Sequence, residues 1–168
     1  MIPALAMLVL GLNGGSQAPD PRVLTHLHRV VVMALAQNDG GEFKGDKEIR
    51  DAAATPLRGS GLSYGLEPAD GDIQVDLRPN PDAYLVVFAR FAISADRTQA
   101  AISIEARLQN WAQIPFNDRQ AILSIWDKTE MAICKTSEVR KVATTITVRL
   151  LQGFTKDWKT ANPAPPIR

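Results

Sequence analysis

Apolar and polar residues alternate in the middle of the chain, which predicts β-strands. The alternation runs over 73–78 and again over 102–108, with the period of two that is typical of half-buried strands. Between them, 83–94 is apolar on both faces, which predicts a central strand. Short turns separate the segments, so an antiparallel meander is the simplest arrangement. The second face of the central strand then needs a cover, which could be the first helix, a partner chain or a ligand.

Before these strands, apolar residues recur at helical spacing. The pattern predicts an N-terminal helix over 21–36, with Asp20 as its cap and Pro21 in the first helical position. A second, shorter helix is expected over 47–54, with Asp46 as its cap.

After the strands, the same spacing predicts two further helices. One begins after Asn117 and places residues between 122 and 133 on its inner face. The other begins at Thr136 or Ser137 and continues past 150. The segment 144–148 would also suit a strand, and helix is favoured because no turn residue appears before Gly153.

The predicted fold class is therefore α+β: an N-terminal helix, a three-stranded antiparallel meander sheet, and two C-terminal helices packed on the sheet. Hydrophobic residues make up 45% of the 168 positions and charged residues 22%, as in folded proteins. We expect a single domain over 19–161 and a disordered, proline-rich tail over 162–168.

Residues 1–18 are predicted to be a signal peptide. No charged side chain precedes Asp20, an apolar run covers 4–12, and Ser16 and Ala18 are small residues of the kind that a signal peptidase reads. The usual positive start is missing and Pro19 would follow the cut, so a buried N-terminal segment of a cytosolic protein stays the alternative. The apolar run is about half of the roughly 20 residues that a membrane span needs. We therefore expect export, to the periplasm or the medium, without a membrane span.

The charge balance bears on the partner. Nineteen basic residues face eighteen acidic ones, and a net charge of +1 argues against general nucleic-acid binding. Basic residues are in excess after Lys135, which makes Arg140 and Lys141 candidate binding residues for an acidic protein partner. The alternative is an ordinary solvated surface.

One motif could carry catalysis. The segment 61–65 reads Gly-Leu-Ser-Tyr-Gly, the spacing that exposes a nucleophilic serine in α/β-type hydrolases. Ser63 is thus a candidate nucleophile, with His26 or His28 as its base. The segment does not sit between a clear strand and a helix, so a mobile loop is the alternative. The two histidines carry no accompanying metal-ligand motif, and we expect no metal and no cofactor.

Two further residues stand out singly. Trp111 lies among amide side chains just beyond the third predicted strand, where it could line a binding site or plug the end of the core. The one cysteine, Cys134, is expected to be a small buried hydrophobic residue on a helix.

Together these features favour an exported, non-catalytic binding or protein-interaction domain. Two alternatives stay open: a small serine hydrolase using Ser63, and a carrier of a small apolar ligand held between sheet and helices.

Overall fold

A computed structural model describes residues 21–67, 82–113 and 120–163. The predicted leader and the predicted strand over 73–78 lie outside these residues. The elements in chain order are β1 (Arg29–Asn38), β2 (Lys44–Gly45), α1 (Lys47–Ala54), β3 (Ser63–Leu66), β4 (Ala83–Ile93), β5 (Gln99–Gln113), β6 (Gln120–Lys135) and α2 (Val139–Ala161). Short 3-10 turns precede β1 at Pro21–Leu24, follow α1 at Thr55–Leu57 and precede α2 at Thr136–Glu138.

The six strands form one mixed sheet. Strands β4, β5 and β6 are an antiparallel meander, whereas β1 pairs parallel with β4, which occupies the middle of the sheet. On its other side β1 pairs with β2 and with β3. The α+β class is confirmed, as is the central position of an apolar β4. The prediction of a sheet of three antiparallel strands is wrong, because a parallel strand from the N-terminal segment completes the layer.

The predicted N-terminal helix over 21–36 is wrong: most of this segment is β1. Val30 and Val32 are fully buried, and Val31 between them is half-buried, so burial follows a period of two. The run is rich in β-branched valine, which favours a strand because its side chains pack well on a pleated surface.

The predicted helix after Asn117 is wrong as well: this segment is β6. Its inward positions include Lys128 and Glu130, which a hydrophobic pattern reads as solvent-facing. Lys128 Nζ reaches Asp157 Oδ2 at 2.9 Å, and Glu130 Oε2 accepts a hydrogen bond from Arg149 Nε at 3.0 Å. These ion-pair partners on α2 offset the free-energy cost of placing charged side chains on the inner face of the sheet.

Both predicted helices at 47–54 and beyond 136 are confirmed as α1 and α2. The Asp46 side chain caps α1 by accepting a hydrogen bond from Ile49 N at 3.0 Å. Both helices pack on the same face of the sheet, where Trp126 of β6 meets Phe154 of α2 edge to face at 5.1 Å. Among the described elements, no helix covers the opposite face.

Candidate functional site

A cavity opens on the helix-free face of the sheet. Its volume is about 160 Å³, and it lies across β1, β4, β5 and β6. Six of the lining side chains are apolar or aromatic, and Gln109 and Asn110 complete the wall. The six are Met33, Leu35, Tyr84, Val86, Phe88 and Ile122. The alternation of β4 produces this wall, because Tyr84, Val86 and Phe88 point away from the helices while their neighbours point into the core.

Tyr84, one of the residues that line the cavity, carries a hydroxyl for which the described residues offer no hydrogen-bond partner. The residue is only 8% exposed, and its buried hydroxyl forms no hydrogen bond with the residues that the structure describes. Burial raises the pKa of Tyr84, and the nearby charge of Glu67 raises it further. The hydroxyl is therefore protonated at neutral pH, and its lack of a partner in the described part of the chain is unusual because buried polar groups are nearly always paired.

The aromatic end of the cavity is held in place from outside. The Phe43 ring packs edge-on against Phe88 at 5.6 Å, and the Arg107 guanidinium lies 5.5 Å from the Phe88 ring centre. Arg107 Nε donates to Glu105 Oε1 at 2.7 Å, and Arg90 reaches the other oxygen of that carboxylate at 3.4 Å. These contacts hold the Phe88 ring in its position in the cavity wall.

A second feature of this face is the free edge of β6. Within the described residues no strand pairs with the outer side of this sixteen-residue strand. Large apolar side chains on it are exposed, among them Ile122 at 54%, Met131 at 42% and Ile133 at 45%. An edge strand of this length with exposed apolar residues is a site where another chain can pair.

Two of the candidate catalytic residues, Ser63 and His28, are joined by a backbone hydrogen bond. Ser63 begins β3, and its N–H donates to the carbonyl of His28 at 3.1 Å. In the described part of the chain, no hydrogen bond joins the Ser63 hydroxyl to an imidazole. Gly61 has φ of +95°, and a side chain there would meet Trp158 at 3.5 Å, so this glycine serves the turn. A catalytic role of Ser63 stays a prediction.

The two histidines lie on the connection that enters β1. The His26 N–H donates to Asn162 Oδ1 at 3.2 Å, and the amide nitrogen of Asn162 donates to the carbonyl of Leu24 at 2.9 Å. His28 N donates to the Asp82 carboxylate at 2.6 Å. The backbone hydrogen bonds of the two histidines thus connect the segment before β1 to the end of α2 and to the residue before β4. Among the described residues, no group of histidine, cysteine or acidic side chains is arranged to hold a metal ion.

The candidate binding residues lie apart from the cavity. Arg140, in the first turn of α2, forms an ion pair with Asp46, and its guanidinium lies 5.4 Å from the Phe91 ring centre. Lys141 is exposed beside it. Trp111 lies within β5 and pairs with Ile122, so its predicted position beyond the strand is wrong. Its side chain lies outside the described part.

Cys134 is on β6, not on a helix as predicted, and is half-buried. Burial raises the pKa of its thiol, and Glu138 raises it further. Sequence reasoning did not single out Tyr84. The available signal was a tyrosine in a strand that is otherwise apolar on both faces.

Neither of the two described helices is both long and apolar enough to cross a membrane. No protein-family model matches the chain, and no curated protein matches its sequence. Among solved structures, a PelC dodecamer from Paraburkholderia phytofirmans is similar, with a TM-score of 0.50 and 14% identity over 83% of this chain and 94% of that one. A DUF330 protein from Xanthomonas campestris gives a TM-score of 0.44 at 11% identity, covering 89% of this chain and 95% of that one.

A neuraminyllactose-binding hemagglutinin homologue from Helicobacter pylori gives a TM-score of 0.42 at 11% identity, over 84% of this chain and 87% of that one. At 14% identity, the similarity to PelC extends to the fold and not to the function. The chain shares the fold of the PelC protomer.

Proposed function

We propose that the protein is an exported interaction domain that binds a second copy of itself along the free edge of β6. The observation that carries the proposal is this edge: sixteen residues of strand with no partner on the outer side among the described residues, and with exposed apolar side chains along it.

The chemistry of a strand edge supports this function. Each edge residue whose N–H and C=O point outward can form ladder hydrogen bonds with an added strand, and apolar side chains such as Met131 and Ile133 gain by burial next to it. Edges that stay solvated usually carry charges or prolines, especially lysine. The outer part of β6 presents the exposed apolar residues Met131 and Ile133 on the helix-free face, alongside the exposed charges of Asp127 and Lys135.

The opposite edge of the sheet offers the complementary surface. There β2 has two residues and β3 has four, and Leu66 of β3 is 42% exposed. Contact between β6 of one copy and this edge of the next is heterologous, and such contacts close into rings when the rotation between copies permits. PelC, which has a similar fold, forms a dodecamer, and this supports the proposal that the chain binds copies of itself.

Export is supported by residues 1–18, which have an apolar run followed by small residues. Expression of the full chain in a bacterium with a periplasm tests it. We expect a periplasmic product whose mass places its first residue at or near position 19. An intact chain recovered from the cytoplasm would refute export and leave the assembly question open to its own test.

The assembly is tested by light scattering after size-exclusion chromatography across a range of protein concentrations. We expect the molar mass to be a multiple of the monomer mass and to fall to one monomer in the double variant Met131→Lys/Ile133→Lys. Val23→Lys is the matched control, because Val23 is equally exposed, at 43%, but lies on the turn before β1. A monomeric wild type at high concentration, or equal dissociation by the control, would contradict the proposal.

A further inference from the structure

The outward side of α2 carries positive charge and no negative charge. Each exposed residue of this helix is basic or uncharged: Arg140, Lys141, Thr145, Arg149, Gln152, Lys156, Lys159 and Thr160. The one acidic residue of the helix, Asp157, accepts hydrogen bonds from Lys128 Nζ at 2.9 Å and from Trp126 Nε1 at 3.1 Å. Its charge is therefore used on the inner side, against β6. A helix face that meets only solvent usually mixes both signs of charge.

Three lysines on this side form a single row. Because each residue of a helix advances by about 100°, Lys141, Lys156 and Lys159 lie within about 60° of one another around the axis. Thr145 and Gln152 are exposed between them. At a rise of about 1.5 Å per residue, the row is about 27 Å long. We call these five residues the lysine row.

The rest of the protein does not neutralise the lysine row. None of its three lysines forms an ion pair with the residues that the structure describes, whereas Arg140 pairs with Asp46 and Arg149 pairs with Glu130. The two 3-10 turns that pack against α2, at Pro21–Leu24 and Thr55–Leu57, hold no acidic residue. Unpaired charges of one sign along a line attract a partner of the opposite sign.

The surroundings of the lysine row limit the kind of partner. No large apolar side chain is exposed on α2, so the row lacks the buried anchors on which interfaces between folded proteins depend. Exposed carboxylates lie near it, since Glu138 precedes α2 and Glu48 belongs to α1, which packs beside α2. A flat anionic surface, such as a membrane, would meet these carboxylates as well as the lysines. A single extended chain can follow the row alone.

We propose that the lysine row binds an extended acidic segment of a partner protein, whose carboxylates lie along Lys141, Lys156 and Lys159. An extended chain advances about 3.3 Å per residue, so about eight residues match the length of the row. The amide of Gln152 can both donate to and accept from the backbone of such a segment. Of the two basic residues that the sequence singled out, Lys141 belongs to the row, whereas Arg140 is held by Asp46. The site adds a second kind of partner to the proposed self-assembly and does not depend on it.

Two peptides of equal length test the inference by NMR titration of the ¹⁵N-labelled protein. One is octa-glutamate, and the other is an uncharged serine–glycine repeat. Octa-glutamate should shift the amide signals of residues 141–160 at about 20 mM salt, with a Kd in the millimolar range or below. Its affinity should fall about fivefold or more at about 200 mM salt, because interactions between exposed charges are screened. The uncharged peptide should leave these signals in place.

Charge variants locate the site. Lys156→Glu/Lys159→Glu should weaken the binding of octa-glutamate about tenfold or more, and Lys156→Gln/Lys159→Gln should have an intermediate effect. The matched control is Lys44→Glu/Lys135→Glu, which changes the net charge equally at exposed lysines of β2 and β6. This control should keep the affinity within about threefold of the wild type, because its charges lie away from the row.

Three outcomes would overturn the inference: no binding of octa-glutamate at low salt, shifts that fall outside α2, or equal weakening by the control variant. Phosphatidylcholine vesicles with about one-third phosphatidylglycerol test the membrane alternative. Vesicle binding that Lys156→Glu/Lys159→Glu abolishes, without binding of octa-glutamate, would assign the row to a membrane and also overturn the inference. Titration of Met131→Lys/Ile133→Lys separates the two proposals. Binding that persists in this variant supports the lysine row whether or not the wild type assembles, and binding lost there would refute it.

Discussion

Replacing Tyr84 by phenylalanine should stabilise the ligand-free protein. The substitution removes one oxygen and leaves the ring, which lines the cavity, in place. In most folded proteins a buried tyrosine hydroxyl has a hydrogen-bond partner, so its loss is destabilising. Here the hydroxyl has none among the described residues, and its removal ends a desolvation cost that no contact with them offsets.

The size of the effect follows from the burial of this group. A buried donor without a partner costs about 1–3 kcal/mol. We expect a gain near the lower end of this range, about 1 kcal/mol. For a chain of this length, that gain corresponds to an increase of roughly 2–4 °C in Tm.

Thermal and urea unfolding, followed by circular dichroism in ligand-free buffer, measure this difference. The chain provides its own control in Tyr64, which is the other of its two tyrosines and is half-buried on β3. Tyr64→Phe should change the free energy of unfolding by less than about 0.5 kcal/mol. Destabilisation of Tyr84→Phe by about 1 kcal/mol or more would show that the hydroxyl has a protein partner and would refute the reasoning.

Three further predictions concern the supports of the fold. Asp46→Ala should lower the free energy of unfolding, measured in urea, by about 2 kcal/mol, since it removes both the α1 cap and the partner of Arg140. Asp46→Asn should retain the cap and cost about half as much. Equal costs for the two variants would contradict the double role of Asp46. Gly61→Ala should lower the free energy of unfolding by about 1–2 kcal/mol because φ is positive at this position. Ser63→Ala should change it by no more than about 0.5 kcal/mol. The reverse order would refute the structural account of the motif. Asp96 accepts three hydrogen bonds in the β4–β5 turn, and these lower its pKa, with the bond from Ser94 as the largest cause. The contribution of Asp96 to folding stability is therefore present at neutral pH and is lost as the pH falls through the lowered pKa. NMR titration should place the pKa of Asp96 below the usual aspartate value, and the stability deficit of Asp96→Asn should vanish at low pH; a deficit independent of pH would contradict this.

Local signals were sufficient where sequence neighbours determine the structure. Asp46 before a short amphipathic run predicted the start of α1, and the spacing of apolar residues after 139 predicted α2. The same is true of β4, whose apolar residues on both faces predicted a central strand. In each case the deciding contacts are within the element or next to it.

The predictions failed where distant contacts decide. Lys128 and Glu130 point inward on β6 because each forms an ion pair with a residue of α2. The partners are Asp157 and Arg149, and no local sequence pattern reveals this pairing. A bulge adds to the problem: Leu108 pairs with Trp126 and Gln109 with Ser124, so the alternation along β6 shifts by one residue.

The cavity was beyond sequence reasoning for a topological reason. Its walls come from four strands, and the parallel pairing of β1 with β4 brings Met33 and Leu35 beside Val86 and Phe88. The sequence did indicate that the second face of β4 needs a cover. What it could not indicate was which strands border that face and that the hydroxyl of Tyr84 would be left without a partner.

Hydrogen–deuterium exchange of the backbone amides of β6 tests the central claim, pairing along the free edge, most directly. The account predicts that outward-facing amides between 127 and 135 exchange slowly in the concentrated wild type and become fast on dilution and in Met131→Lys/Ile133→Lys. Exchange of these amides that is fast at every concentration, or equally slow in the double variant, would contradict the account.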